Sequence, residues 1–236
     1  MKAVLFDLDG TLLPMDQDKF IKKYFREIST YLAVNGGYEP KAFMDAMWQG
    51  IGAMMKNDGT KSNEEAFWQV FKCIYGEEKI RQDFSLFERF YEEKFSETKS
   101  ECFYTDKSKK LVDYLKSKNI IVVLATNPVF PVIATNTRMG WVDLKPADFS
   151  IVTTYENIGY CKPNPMYYTE IANRLGIEPK DCLMVGNDVF DDMVAEASGM
   201  DVFLLTDCLI NSKSQDYSKY PQGNFDDLIS YINSKI

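Results

Sequence analysis

Residues 2–6, KAVLF, form an apolar run without polar alternation that stops abruptly at Asp7. Such a run marks a parallel strand buried on both faces, because a strand with one wet face alternates instead. Similar runs recur at 120–125 (IIVVLA), 149–152 (FSIV), 182–185 (CLMV) and 202–205 (VFLL). Helix-like segments accompany them at 106–118, 190–198, an amphipathic 225–235, and 165–175, where Asn164 is a plausible N-cap and Pro165 takes the first helical position. Strands alternating with helices predict an α/β fold built on a doubly wound parallel sheet.

The segment 17–100 follows another rule. Phe20, Tyr24, Phe25, Ile28, Tyr31 and Leu32 share a helical face, as do Phe43, Met47, Ile51 and Met54. Ser62 and Glu65 make a capping-box pattern ahead of Phe67, Val70, Phe71 and Ile74, and a further helix is expected over 77–95. Gly36-Gly37 and Asn57-Asp58-Gly59 read as turns between these helices. No strand-like alternation interrupts the block, so it reads as an all-helical insert between the first strand and the rest of the sheet.

Composition narrows the chemistry. The 236 residues carry a net charge of −8 and no histidine. The charge, with no long Lys/Arg run, argues against nucleic-acid or anionic-lipid partners. No apolar run is long enough to span a bilayer, and the N-terminus enters a strand without a signal-peptide h-region, so a cytoplasmic protein is expected. Five scattered cysteines without CxxC spacing read as reduced thiols. The lack of histidine removes Ser-His-Asp and Cys-His catalysis, and leaves carboxylates as the leading proton-transfer groups.

In an open parallel sheet, ligands gather beyond the carboxyl ends of the strands, near the reversal of strand order. Asp7, Asp9, Gly10 and Thr11 follow the first run, and Thr126 and Asn127 the second. Lys162 stands in CKPNP after the third, and Gly186, Asn187, Asp188, Asp191 and Asp192 follow the fourth. A carboxylate can attack phosphorus and divide one hard displacement into two steps. Asp7, first beyond the strand, is the natural nucleophile. A second carboxylate kept protonated beside it can give a proton to the leaving oxygen and later take one from water, which suits Asp9. Gly10 permits a turn whose N–H groups face phosphate oxygens, while Thr126 and Lys162 offer a hydroxyl and a positive charge.

In this order, DLDGT, LATN, CKPNP and GNDVFDD resemble the four motifs of the haloacid dehalogenase-like (HAD) superfamily of phosphotransferases. The resemblance extends over the whole chain. It implies a Rossmann-like core, 1–16 and 101–236, with a helical cap, 17–100, inserted after the first strand. It also implies catalytic roles for Asp7, Asp9 and Lys162, and phosphate contacts from Gly10, Thr11, Thr126, Asn127 and Lys162.

Electrostatics add a cofactor. Like charges about 4 Å apart cost about 4 kcal/mol at an effective dielectric near 20, so a phosphate among several aspartates with one lysine needs a divalent cation. Mg2+ suits oxygen ligands of this kind. Asp7, the backbone carbonyl of Asp9 and the fourth motif are the expected ligands. In the commoner family pattern an aspartate directly follows the glycine. Here Asn187 stands there and Asp188 comes next; either serves as the ligand, with Asp188 expected to restore the charge. Asp191 is expected to hold waters or Lys162 from the second shell, and Asp192 to lie at a helix N-terminus favoured by its dipole. Cys161 reads as a packing residue.

Because Asp9 is present, the resemblance implies phosphoryl transfer rather than dehalogenation. The expected activity is a magnesium-dependent phosphatase acting on a small phosphorylated metabolite, through an aspartyl-phosphate, as a monomer or homodimer. A sugar-phosphate mutase of the same fold and a non-catalytic regulatory module on that scaffold are the alternatives. Leaving-group contacts are expected near Met15, Asp16, Trp48, Gly50 and 54–56.

Overall fold

The computed structural model describes every residue from Met1 to Ile236. Six strands, β1 (Ala3–Phe6), β2 (Ile121–Leu124), β3 (Ile151–Val152), β4 (Cys182–Gly186), β5 (Asp201–Leu205) and β6 (Gln222–Gly223), form one sheet. The order is β3-β2-β1-β4-β5-β6 and every pairing is parallel. The doubly wound α/β sheet read from the apolar runs is therefore the observed core. β6 carries no apolar signal and is absent from the sequence reading.

Both faces of the sheet are covered, for a reason visible in β1. Val4 and Phe6 belong to a cluster of 45 buried residues, while Ala3 and Leu5 belong to a second cluster of 17 on the opposite face. Successive side chains point to opposite faces, so a strand packed on both sides must be apolar throughout. Helices α5 (Lys107–Ser117) and α8 (Phe225–Lys235) bury Leu111, Val112, Leu115, Leu228 and Ile232 in the larger cluster. Helix α7 (Pro165–Leu175) buries Tyr167, Tyr168 and Ile171 in the smaller one. Asn164 caps α7 by accepting from the Met166 N–H, with Pro165 at the first turn as expected.

Between β1 and β2 stand α1 (Gln17–Gly36), α2 (Pro40–Met55), α3 (Asn63–Tyr75) and α4 (Glu77–Glu93), followed by a short 3-10 segment, Phe95–Glu101. Asp16 caps α1 and Gly37 ends it at φ 66°, a left-handed conformation that glycine adopts without a Cβ penalty. Ser62 and Glu65 form the reciprocal capping box ahead of α3. The two chain passages that link this block to the sheet run side by side. The Phe103 N–H donates to Pro14 O (2.8 Å) and the Asp16 N–H to Glu101 O (3.1 Å). Its aromatic faces join the larger cluster through Phe20, Phe95, Phe130 and Trp141, whose rings contact one another.

Two local expectations change. The segment 190–198 is not an α-helix: only Met193–Ser198 coils, as a 3-10 turn. A helix not anticipated from sequence, α6 (Val132–Gly140), follows β2 and buries Ala134, Thr135, Arg138 and Met139.

Candidate active site

The register of three central strands brings their ends to one height. Phe6 lies between Leu124 of β2 and Val185 of β4. One residue on, the Asp7 N–H donates to Val185 O (2.9 Å) and the Ala125 N–H to Phe6 O (2.7 Å). Strand order reverses beside β1, so the loops after β1, β2 and β4 converge there. A pocket of about 120 Å3 opens at this place, lined by Asp7, Asp9, Thr126, Lys162, Asp188 and Asp191 among others.

Lys162 is 1% exposed and its ammonium is gripped by two carboxylates, Asp7 Oδ1 at 2.9 Å and Asp192 Oδ1 at 2.6 Å. Burial by itself would pull the lysine pKa down, but Asp192 and Asp7 outweigh it and hold the group well above its ordinary value. Asp7 is pushed up to about 7, chiefly by burial; Lys162 opposes this, and the charges of Asp192 and Asp9 add to it. Oδ2 of Asp7 forms no hydrogen bond. The expected pairing is corrected here. Asp192 does stand at the N-terminus of the 3-10 segment Met193–Ser198, but its side chain makes no cap bond there: it is the buried partner of Lys162, and its Oδ2 accepts the Asp188 N–H at 2.9 Å. Gly186 makes room for it, since a Cβ there would lie 2.1 Å from that carboxylate. Asp191, expected to hold waters or Lys162, accepts from Asn127 Nδ2 at 3.3 Å and makes no ion pair with Lys162.

The turn after β1 is closed on itself. The Gly10 N–H donates to Leu13 O and the Thr11 N–H to Leu8 O, so these two amides face their own loop rather than the pocket. The N–H groups of Leu8 and Asp9 form no such bond. Gly10 has φ 85°, and a Cβ on it would meet Asn187 Nδ2 at 2.3 Å. Asn187 in turn is held at both ends: Oδ1 accepts from Thr11 Oγ1 (3.0 Å) and Nδ2 donates to Cys208 O (2.7 Å). Its amide is a brace between two loops. Asn127 is similarly engaged, accepting the Lys162 N–H through Oδ1 and donating to Asp191. The Thr126 carbonyl accepts from Thr153 and Tyr167, which orient that residue from below.

Asp188 uses Oδ1 to accept the N–H groups of Phe190 (2.7 Å) and Asp191 (3.0 Å), and keeps Oδ2 free. Burial raises its pKa against those two bonds, and burial with Asp188 and Asp192 pushes Asp191 up to about 6. Five aspartates thus face one lysine and one arginine. No three acid, histidine or thiol side chains converge into a ready-made metal cage. The donors available to a cation are hard oxygens, namely Oδ1 of Asp7 beside Lys162, the free Oδ2 of Asp188 and the carbonyl of Asp9. That set fits an ion completing its shell with water and phosphate, as Mg2+ does.

The arginine was missed. Arg138 on α6 is fully buried and ion-pairs through Nη1 with Asp9 Oδ2. Its guanidinium lies 4.3 Å from the Phe130 ring centre and its Nε donates to Ala134 O. Asp9 Oδ1 remains buried without a partner. A signal was present: Arg138 is the one basic residue between Asn127 and Leu144, and it shares a helical face with Ala134 and Thr135.

A parallel sheet with acidic and basic side chains converging on its central strand end is a Rossmann-like core with a strand-end polar site. A family model, "haloacid dehalogenase-like hydrolase", matches residues 1–199, and the chain belongs to that family of enzymes. It is 26% identical over 199 residues to pyrophosphatase PpaX of Bacillus velezensis (strain DSM 23117 / BGSC 10A6 / LMG 26770 / FZB42), covering 84% of this chain and 79% of that one. It is 28% identical over 209 residues to phosphoglycolate phosphatase of Escherichia coli (strain K12), with the same coverage. Among solved structures, a HAD phosphatase from Thermococcus onnurineus superposes with a TM-score of 0.59 at 20% identity over 98% of both chains, a likeness of fold.

Proposed function

We propose that this hydrolase is a magnesium-dependent phosphomonoesterase that works through an aspartyl-phosphate on Asp7, with residues 17–100 as its cap. The observation that carries the reading is the state of Asp7. One carboxylate oxygen is pinned by Lys162, and the other is unbonded at the end of the central strand. The free oxygen attacks phosphorus, and the bond to the leaving oxygen breaks. Asp9 Oδ1, unbonded while Oδ2 holds Arg138, carries the proton to that leaving oxygen. In the second half, Asp9 takes a proton from water, the water oxygen attacks phosphorus, and Asp7 leaves with inorganic phosphate released. The free N–H groups of Leu8 and Asp9, the Thr126 hydroxyl and the Lys162 ammonium receive the phosphate oxygens.

Asp7, the Asp9 carbonyl and Asp188 would hold the metal, with Asn187 as a brace rather than a ligand. When bound, magnesium supplies positive charge that offsets the aspartates and the phosphate. Lys162 and Asp192 keep Asp7 oriented, and Arg138 keeps Asp9 in place. Purified protein is expected to release phosphate from 4-nitrophenyl phosphate with magnesium and to stop on chelation. Failure to turn over any phosphomonoester in a broad panel, by a folded and magnesium-loaded protein, would overturn the proposal.

A further inference from the structure

Next to the strand-end pocket lies a second, larger cavity of about 420 Å3, and Ile21, Val129 and Phe130 line both. Protein interiors are close-packed, and a void of that size lined with aromatics is a binding volume rather than a packing fault. Its walls come from the helical block and from the segments after β2 and β3: Phe25, Trp48, Phe67, Trp68, Phe87 and Tyr155 are typical. Trp48, 54% exposed, and Val132, 46% exposed, also line it and open it to solvent.

The charges around it have one sign. Glu64, Glu88, Glu92 and Glu156 line the cavity, and no lysine or arginine does. Glu156 Oε1 accepts the Val132 N–H, while its Oε2 is buried without a partner. The Trp68 Nε1–H, near the Tyr155 hydroxyl, falls short of a hydrogen bond with it and is also unpartnered. The cavity thus offers apolar area bordered by carboxylates alone.

We infer that this cavity receives the leaving group, and that the substrates are phosphate monoesters of apolar, ring-bearing alcohols without a negative charge of their own. The inference rests on the phosphomonoesterase reading. A leaving group ending in a carboxylate or a second phosphate would meet four glutamates and no cation, so such esters are rejected. The substrate named for the Escherichia coli relative carries a carboxylate, and that of the Bacillus relative a second phosphate. This chain's cavity is built for neither.

The test compares kcat/KM for 1-naphthyl phosphate, phosphoglycolate and inorganic pyrophosphate on the magnesium-loaded, full-length protein. Naphthyl phosphate is expected to lead by on the order of 100-fold, mostly in KM. Ile51→Trp, which fills the cavity, is expected to raise KM for naphthyl phosphate at least about 10-fold. Glu88→Lys with Glu92→Lys is expected to shift the ratio toward phosphoglycolate about 5-fold or more. Because the filled variant is at risk of misfolding, 1-naphthol added to wild type provides a second readout. Saturable quenching of tryptophan fluorescence is expected from Trp48 and Trp68. Turnover that favours phosphoglycolate or pyrophosphate, or no naphthol binding, overturns the substrate class alone. Absence of turnover with all three compounds overturns the substrate class, and the phosphomonoesterase reading as well when 4-nitrophenyl phosphate and the rest of a broad phosphomonoester panel are also left intact.

Discussion

The strand-end pocket and the aromatic cavity share a wall at Ile21, Val129 and Phe130, yet opposite physical rules build them. In the pocket each of Asp7, Asp9 and Asp188 is anchored through one carboxylate oxygen and keeps the other free, and positions follow from strand register and hydrogen bonds. In the cavity most of the walls are side chains of helices, held by ring contacts such as Phe67–Phe71 and Trp68–Phe87. Charge in the pocket is costly and has to be paired; shape in the cavity is negotiable. The pocket therefore tolerates little change, while the cavity is where specificity can drift without loss of the chemistry.

That contrast breaks first at Asp7. Asp7→Asn is expected to lower kcat on the order of 10^4-fold with the fold retained, measured by phosphate release and circular dichroism. A wild-type-like rate would remove the nucleophile from Asp7 and with it the division of labour between the two hollows.

Lys162→Ala tests how far the pocket depends on pairing. It leaves Asp7 and Asp192 buried without their cation, and a loss of about 3–5 kcal/mol in urea unfolding is expected. A loss under about 1 kcal/mol would mean that the two carboxylates find other partners. Arg138→Met is milder, since it keeps apolar volume against Phe130 but frees Asp9. The expected outcome is a fall in kcat of about 10–100-fold and a flatter pH–rate profile, with KM little changed.

The cavity side yields smaller effects. Burial pushes the Tyr24 hydroxyl up to about 12 against its bond to Tyr91, so the folded state resists ionising it. Folding raises this pKa above the ordinary 10.0; the stability it contributes is complete below pH 10 and is lost as pH rises through about 12. Absorbance at 295 nm should show this tyrosine titrating only alongside alkaline unfolding. Trp48→Ala, at a half-exposed position, is expected to cost under about 1 kcal/mol in thermal unfolding. A larger cost would make the cavity mouth part of the packed core.

Much of this molecule is legible in its sequence. Five of the six strands, the helical insert and the polar residues at strand ends follow from local pattern, because burial on both faces makes a strand apolar throughout and a helix shows its period of 3.6. Asp7, Asp9 and Thr126 were legible for a related reason: each stands just beyond a strand end, and a parallel sheet collects its strand ends at one edge, whereas Lys162, far along the loop between β3 and α7, was legible from its CKPNP motif.

Only tertiary structure decided what faces what. After β4 the chain takes a tight turn and a 3-10 coil instead of a helix, so Asp192 rather than Asp191 points at Lys162. Asn187 became a brace because Thr11 and Cys208 reach it from segments distant in sequence. Arg138 met Asp9 across a separation of 129 residues, on a helix too short to announce itself. Sequence determines which residues stand at the strand ends, since that is local and periodic. Which of them pair, and what an adjoining cavity excludes, depends on side-chain direction and long-range approach, and the chain settles those only by packing.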